Sequence, residues 1–481
     1  MCVIMEGYSA ILICNFFAFP TFAKKYGKFD PTTNTYQLTA AWQAGLNTAS
    51  GVGAFFGIMA NGNLVSRFGP KRVLLGSLLL VTCFIAMTFS APTIGVLLAG
   101  QLLCGIPWGI FATIAPAYAS EVLPLSLRPY LTSYSNMCFI IGQLIAAGVQ
   151  DGLVKVDNEW SYRAAFALQW VWPAFIFPIL LFMPESPWHL VRHNHHKEAL
   201  KSLKRLQSKT AAIDPKETLD MIVHTNKLEE EIAATTSYFQ CFRGTEARRT
   251  EIACVAFAGQ MLAGAPFAYN STYLFQQIGL STEQTYNLNV GGTAMALFGT
   301  IVSWICVMPY VGWRRTYLVG MISLTTILLL IGFLNIGTSH KSIATAQACL
   351  TLIWTFVFQL SVGQLGWAIP AGIGSTRLRQ KTVCLARNSY NIVSIIANVL
   401  EPYFMNPTEW NLKGYTGFFW GGLAFLTAIW TFFRLPETKG RNFEDIDTLF
   451  EKQVPARKFK TFEVERSFDG KKDGMSVAQK V

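Results

Sequence analysis

A chain of 481 residues that is 52% hydrophobic and 14% charged, with mean hydropathy +0.34, is too apolar for a water-soluble domain, in which charged residues average about 25%. Its net charge of +11 does not point to nucleic acid, because the cations lie in the gaps between long apolar runs. About twelve of those runs approach the roughly 20 residues that a transmembrane helix needs. They are continuous rather than alternating, so helices are expected and a β-barrel is not.

In chain order, spans near 3–19, 44–65, 73–91, 95–119, 131–153 and 165–183 make an N-terminal six-helix half over 1–183. The polar stretch 184–251 reads as a cytoplasmic linker, with helical spacing at 197–206 and 217–232. Spans near 252–276, 288–310, 316–336, 343–371, 383–405 and 415–433 make a C-terminal half over 252–433, and 434–481 is a cytoplasmic tail, polar from Phe459 onward. Linker residues His189, His193, His195 and His196 have no cysteine or carboxylate at ligand spacing, so no metal is expected. All six histidines fall outside the spans and no P-loop is visible, so neither a cofactor nor an enzyme is expected. The ten cysteines, mostly single and within spans, read as packing residues. The first apolar run lacks the basic flank and cleavage site of a signal peptide.

Arg67, Lys71 and Arg72 follow span 2, Arg128 span 4, Arg314 and Arg315 span 8, and Arg377, Arg379 and Lys381 span 10. If spans alternate, these share one side with the linker and tail; the positive-inside rule makes it the cytoplasm and puts both termini there. Lys24, Lys25 and Lys28 are the main exception. The halves also echo each other. Arg67 and Arg315, Arg128 and Arg379, and Glu185 and Glu437 are offset by 248, 251 and 252 residues at matching spans, which implies a duplicated six-helix unit. Duplicated halves around a midplane site are the sequence sign of alternating access.

At these same places the chain resembles the sugar-porter family of the major facilitator superfamily, and within it is most similar to fungal maltose and other α-glucoside permeases. The strings that carry the resemblance run from residue 5 to about 451. They include Met5-Glu6-Gly7-Tyr8, Trp42-Gln43-Ala44-Gly45-Leu46, Leu103-Cys104-Gly105-Ile106-Pro107-Trp108-Gly109, Tyr118-Ala119-Ser120-Glu121-Val122 and Leu131-Thr132-Ser133-Tyr134. Pro184-Glu185-Ser186-Pro187-Trp188, Thr376-Arg377-Leu378-Arg379, Leu385-Ala386-Arg387-Asn388 and Leu435-Pro436-Glu437-Thr438-Lys439-Gly440-Arg441 follow in family order. The resemblance implies an all-α membrane protein of the major facilitator fold that carries a sugar, an α-glucoside such as maltose or another, across the plasma membrane as a monomer. A non-transporting sensor, a degenerate paralogue and an exporter of a non-sugar metabolite are the competing readings.

Sugar recognition needs amides, hydroxyls and an aromatic face inside a membrane cavity, and polar groups at that depth are functional by default. The resemblance places Gln143, Gln260 and Trp367 where the family contacts sugar, with Asn391 added by alignment. An interhelical hydrogen bond is the lesser competing reading for the two glutamines, and packing that for the tryptophan. At the span ends, Arg67, Arg128, Arg315 and Arg379 can pair with Glu121, Glu185 and Glu437 as a cytoplasmic gate, although arginines there also mark topology alone. Where the resemblance expects acids the chain has Ser9 and Ala54, which leaves Glu6 as the candidate for proton coupling and suggests facilitated diffusion or weak proton symport. Glu6-Gly7-Tyr8 resembles the middle of span 1 with only five residues before it, so a short first helix or a truncated start is expected.

Overall fold

The computed structural model describes residues 1–30, 35–122, 128–206, 214–235, 238–337, 341–375, 378–439, 441, 443–459 and 462. Helix α1 (Cys2–Phe16) stops short of Pro20, because a proline drives the residue before it out of the helical region. Phe19 is extended, and α2 (Pro20–Tyr26) leaves at 71° to α1. Span 1 is therefore a bent pair. An antiparallel hairpin follows, β1 (Lys28–Asp30) with β2 (Thr35–Gln37), a feature absent from the all-helical reading.

Helices α3 (Ala40–Phe68), α4 (Pro70–Phe89), α5 (Ile94–Val122) and α6 (Arg128–Leu153) come next. The sixth span joins α7 (Trp160–Ala167) to α8 (Val171–Phe182) through one tight turn. The linker holds α9 (Pro187–Arg192), capped by the Ser186 hydroxyl, then α10 (His196–Leu206) and α11 (Pro215–Thr235). Span 7 is discontinuous. Helix α12 (Gly244–Leu262) ends before Gly264, whose φ of +95° suits a residue without Cβ, and α13 (Ala265–Tyr269) and α14 (Ser271–Gln277) complete the crossing. After α15 (Thr282–Val302) and α16 (Trp313–Leu334), span 10 is likewise split at Ser361 into α17 (Lys341–Leu360) and α18 (Val362–Ile373). Helices α19 (Arg379–Met405) and α20 (Thr416–Arg434) close the second set, and α21 (Phe443–Glu451) lies in the tail.

By length and apolarity, nine of the described spans could cross a membrane, or ten with the bent first pair. Helices α3 and α6 do not meet that measure, since α3 carries Asn47, Thr48, Asn61 and Asn63, and α6 carries Asn136, Gln143, Gln150 and Asp151. Both pack inside the bundle, and with them the spans number about twelve. In the first six, α1 packs on α6 and α5 on both α3 and α4; in the second, α12 packs on α19, α15 on α17 and α16 on α20. The two sets meet along α3 with α19 and α6 with α15.

Glycine sets the closest of these crossings. Gly53 and Gly57 on α3 face Gly105 and Gly109 on α5, and a Cβ at Gly53 would lie 2.0 Å from the Leu102 carbonyl oxygen. Small residues four apart on both helices let backbones touch where lipid offers no hydrophobic drive for association.

Candidate functional site

Inside the second half, three rings surround one guanidinium. Arg387 on α19 places Cζ 4.5 Å from the Trp367 ring centre, 5.3 Å from Tyr390 and 5.4 Å from Phe257. The rings meet edge to face, Phe257 with Trp367 at 4.9 Å and with Tyr390 at 5.2 Å. Arg387 Nη1 is buried without a hydrogen-bond partner among the described residues. Glu6, on α1 of the other half, lies within electrostatic range of Arg387. Sequence reasoning quoted Arg387 only as part of a motif. The signal was present, because an ionisable residue in an apolar span is a site hypothesis by default.

Tyr269, on the short helix after the span 7 break, joins this cluster to a cavity. It lies near Tyr390, hydrogen-bonds the Gln143 side chain, and lines the cavity with Gln143, between α6, α15 and α17. The cavity includes neither Gln260 nor Trp367. Gln260 Nε2 donates to the Gly363 carbonyl at 3.0 Å and lies over Gly366, the interhelical bond that its position also allowed. Asn391 is half-buried beside Tyr390, with no side-chain bond to the cluster among the described residues. So Gln143 and Trp367 lie in two places with Tyr269 between them, and Gln260 is hydrogen-bonded to α18. Ser9 accepts from Gln169 at 3.1 Å. Glu401, another intramembrane acid that sequence reasoning missed, is fully buried, with Oε2 accepting from Trp420 Nε1 at 2.6 Å.

At the end of the bundle beside the hairpin, buried neutral groups and one exposed ion pair tie the halves together. Buried Asn15 donates to Gln150 Oε1 at 2.7 Å, its Oδ1 accepts from Thr272 at 2.7 Å, and its carbonyl accepts from Tyr286 at 2.6 Å. Tyr273 donates to Gln37 at 3.2 Å, Asn406 donates to the Leu38 carbonyl at 2.9 Å, and Lys155 pairs with Glu283 at 3.1 Å.

The opposite end departs from the expected arginine–glutamate pairing. Glu185 accepts from the Lys71 amide at 3.3 Å, at the start of α4. Glu437 accepts from the Trp313 and Arg314 amides at 2.8 and 3.2 Å, at the start of α16. Helix starts present free N–H groups and a positive dipole end, which carboxylates satisfy. Among the described residues neither Arg67 nor Arg315 forms an ion pair; Arg67 lies over the neighbouring Phe68 ring. The side chains of Glu121, Arg128 and Arg379 lie outside the described residues. Among the charges that do pair are Arg249, buried on α12, with Asp447 of α21 and Glu246, and Glu251 with Arg434 at 3.0 Å. Next to Glu185, His189 is pushed down to about 4, by burial first and then by the positive field of His193, Arg192, Arg72 and His195.

The family description "Sugar (and other) transporter" matches residues 1–450. A general alpha-glucoside permease of Saccharomyces cerevisiae (strain CEN.PK113-7D) is 36% identical over 482 residues, covering 99% of this chain and 78% of its own. Maltose permease MAL31 of Saccharomyces cerevisiae (strain ATCC 204508 / S288c) is 35% identical over 471 residues, covering 96% and 76%. Among solved structures, the proton:xylose symporter XylE bound to 6-bromo-6-deoxy-D-glucose superposes with a TM-score of 0.70 at 16% identity, over 93% of this chain and 98% of that one. A partially occluded inward-open form of the xylose transporter XylE from E. coli gives 0.72 at 14% identity, over 92% and 98%. These neighbours carry the fold, which is that of the major facilitator superfamily, and the full-length relatives carry the family. The chain is a multi-pass membrane protein that belongs to the Sugar (and other) transporter family.

Proposed function

We propose that this protein is a plasma-membrane carrier of α-glucosides working by alternating access, with Arg387, Trp367, Phe257 and Tyr390 as its central sugar station. The observation that supports it most is the guanidinium held over three rings with Nη1 unpartnered. A sugar hydroxyl can accept from that N–H, while the Trp367 face meets the apolar C–H surface of the ring. The printed names of the yeast relatives point to the same substrate class. Gln143 acts through Tyr269, and Gln260 positions α18.

Glu6 is the coupling candidate of this reading, since Ser9 and Ala54 cannot titrate in a useful range. Its carboxyl group lies within electrostatic range of Arg387 in the other half. With Glu6 in range of Arg387 and Glu401 bound to Trp420 instead, transport is facilitated diffusion or weak proton symport by a monomer, with both termini in the cytoplasm as the cation distribution favours. The Asn15 contacts then close the outer end. The division into halves at 1–183 and 252–433, linker and tail follows the same scheme. The test is uptake of radiolabelled maltose, glucose and trehalose by transporter-deficient yeast, with and without Arg387→Ala. Uptake of an α-glucoside that the variant loses supports the reading; a correctly inserted wild type that takes up none of them refutes it. Sugar-induced alkalinisation of the medium that Glu6→Gln abolishes would make the carrier a symporter.

A further inference from the structure

Each half finishes its sixth span in the same way, with two cations gathered around exposed phenylalanine. In the first half, Lys71 Nζ donates to the Leu181 carbonyl and Arg205 Nη2 to the Phe182 carbonyl, both at 2.8 Å. In the second, Arg314 Nη2 donates to the Phe432 carbonyl at 2.8 Å, and the Arg457 guanidinium lies 4.3 and 5.0 Å from the Phe432 and Phe433 ring centres. One cation of each pair comes from the first turn of α4 or α16, the other from α10 or from the turn Ala456–Lys458 of the tail. Each pair has one carboxylate at its base, Glu185 or Glu437, which accepts the Lys71 or the Arg314 amide. Arg314 and Arg457 lie within electrostatic range of each other. Among the described residues neither Arg205 nor Arg457 forms an ion pair. The negative end of a helix explains a cation on each carbonyl, but not Arg457, which lies over rings instead. The rings supply an apolar side: Phe182, Phe432 and Phe433 are 78%, 43% and 58% exposed at the span ends, where lipid surrounds them. A free anion would meet the cations and leave the rings bare. An anionic phospholipid meets both, with its headgroup on the cations and its acyl chains along the rings.

We propose that each half carries a binding site for an anionic phospholipid at this end, Lys71 and Arg205 holding one headgroup and Arg314 and Arg457 the other. Arg205 belongs to the linker and Arg457 to the tail, so a bound headgroup fastens both polar segments to the transmembrane helices. Linker and tail face the cytoplasm in the carrier reading, and that leaflet carries the anionic lipids. The sites themselves do not depend on what is carried.

The test is native mass spectrometry of purified full-length protein in detergent micelles, titrated with phosphatidylserine against a background of phosphatidylcholine. Micelles have no sidedness, so the orientation of the protein does not enter. Wild type should retain phosphatidylserine in preference, up to one molecule per half. Arg205→Gln and Arg457→Gln should each weaken one of these binding steps about fivefold, the effect of one cation near an anionic lipid, and the double variant should weaken both. Arg457→Lys should bind as wild type does, because the charge remains. Equal retention of the two lipids by wild type overturns the proposal, as does unchanged phosphatidylserine binding in both glutamine variants. Variants that lose both lipids alike would show that the cations only cap helices, which overturns it too. Inorganic phosphate that displaces phosphatidylserine at equal concentration would assign the cations to a soluble anion and overturn the lipid sites.

Discussion

Arg387 illustrates how one side chain can hold charge and shape together. Its guanidinium spreads over three ring faces, and a planar cation stacks there in a way that an ammonium does not. Arg387→Lys should therefore keep the charge and still weaken sugar binding by about 1–2 kcal/mol, or roughly five- to thirtyfold in Kd. Titration of purified protein checks this, and an unchanged Kd would move the sugar away from the ring cluster. His189 behaves differently, as a group the fold keeps neutral. Its folded value of about 4 lies below the ordinary 6.5, so the unfolded chain binds the proton first as pH falls. Glu185, which meets Gly69 beside His189, does not offset the burial and the surrounding cations. Stability from this site should be complete above pH 6.5 and decline between 6.5 and 4. Thermal melts across that window should show a shallower decline in His189→Gln than in wild type; identical slopes would assign the pH dependence elsewhere.

At the scale of helices, close contact and discontinuity do the positioning. The α3–α5 crossing depends on hydrogen in place of a side chain, since the nearest neighbour to a Cβ at Gly53 is backbone rather than a movable side-chain tip. Gly53→Val should separate the helices and cost at least the 1–3 kcal/mol typical of overpacking, read as a lost monodisperse peak in gel filtration. A variant as stable as wild type would show that the crossing can relax. The split spans matter for the opposite reason. Breaks at Gly264 and Ser361 place Tyr269 and Trp367 on short helices that hydropathy alone reads as parts of continuous spans. The tail is similar: Ile446, Leu449 and Phe450 are buried, and Asp447 answers an arginine two hundred residues away. An amphipathic turn can be read locally, but its docking surface cannot.

Over the whole molecule, the halves are held at one end by bonds between neutral groups and one exposed ion pair, Lys155–Glu283, which are cheap enough to exchange. Opening that end means breaking Asn15 from both Thr272 and Tyr286, and Leu38 from Asn406. Asn15→Ala removes two side-chain bonds of about 0.5–1.5 kcal/mol each, one of them across the halves. The population should shift toward forms open at that end, by about two- to tenfold for the one bond that joins the halves. Spin labels at Lys155→Cys and Glu283→Cys, which face each other across this end, read the shift in pulsed EPR, in a background without other reactive cysteines. An unchanged distance distribution would show that Asn15 does not hold the halves together.

By itself the sequence determined the solvent, the fold of about twelve helices and the family, because each is written in local pattern: apolar runs, cations beside them, and motifs in family order. It also offered candidates for the chemistry, since Gln143, Trp367 and Glu6 stand out by type and depth. Tertiary structure decided the partners. Glu185 and Glu437 had arginines and helix starts equally within reach along the chain, and they take the amides because chain reversal at Gly69 and Gly312 brings those N–H groups to the carboxylates. Gln260 and Gln143 are alike in sequence terms, but the rotation of α12 turns one onto a glycine face of α18 while α6 leaves the other beside Tyr269. Arg387 acquired its three rings from helices α12, α18 and its own. Which of several chemically equal residues meet is set by how each helix is rotated and packed, and one-dimensional periodicity does not contain that information.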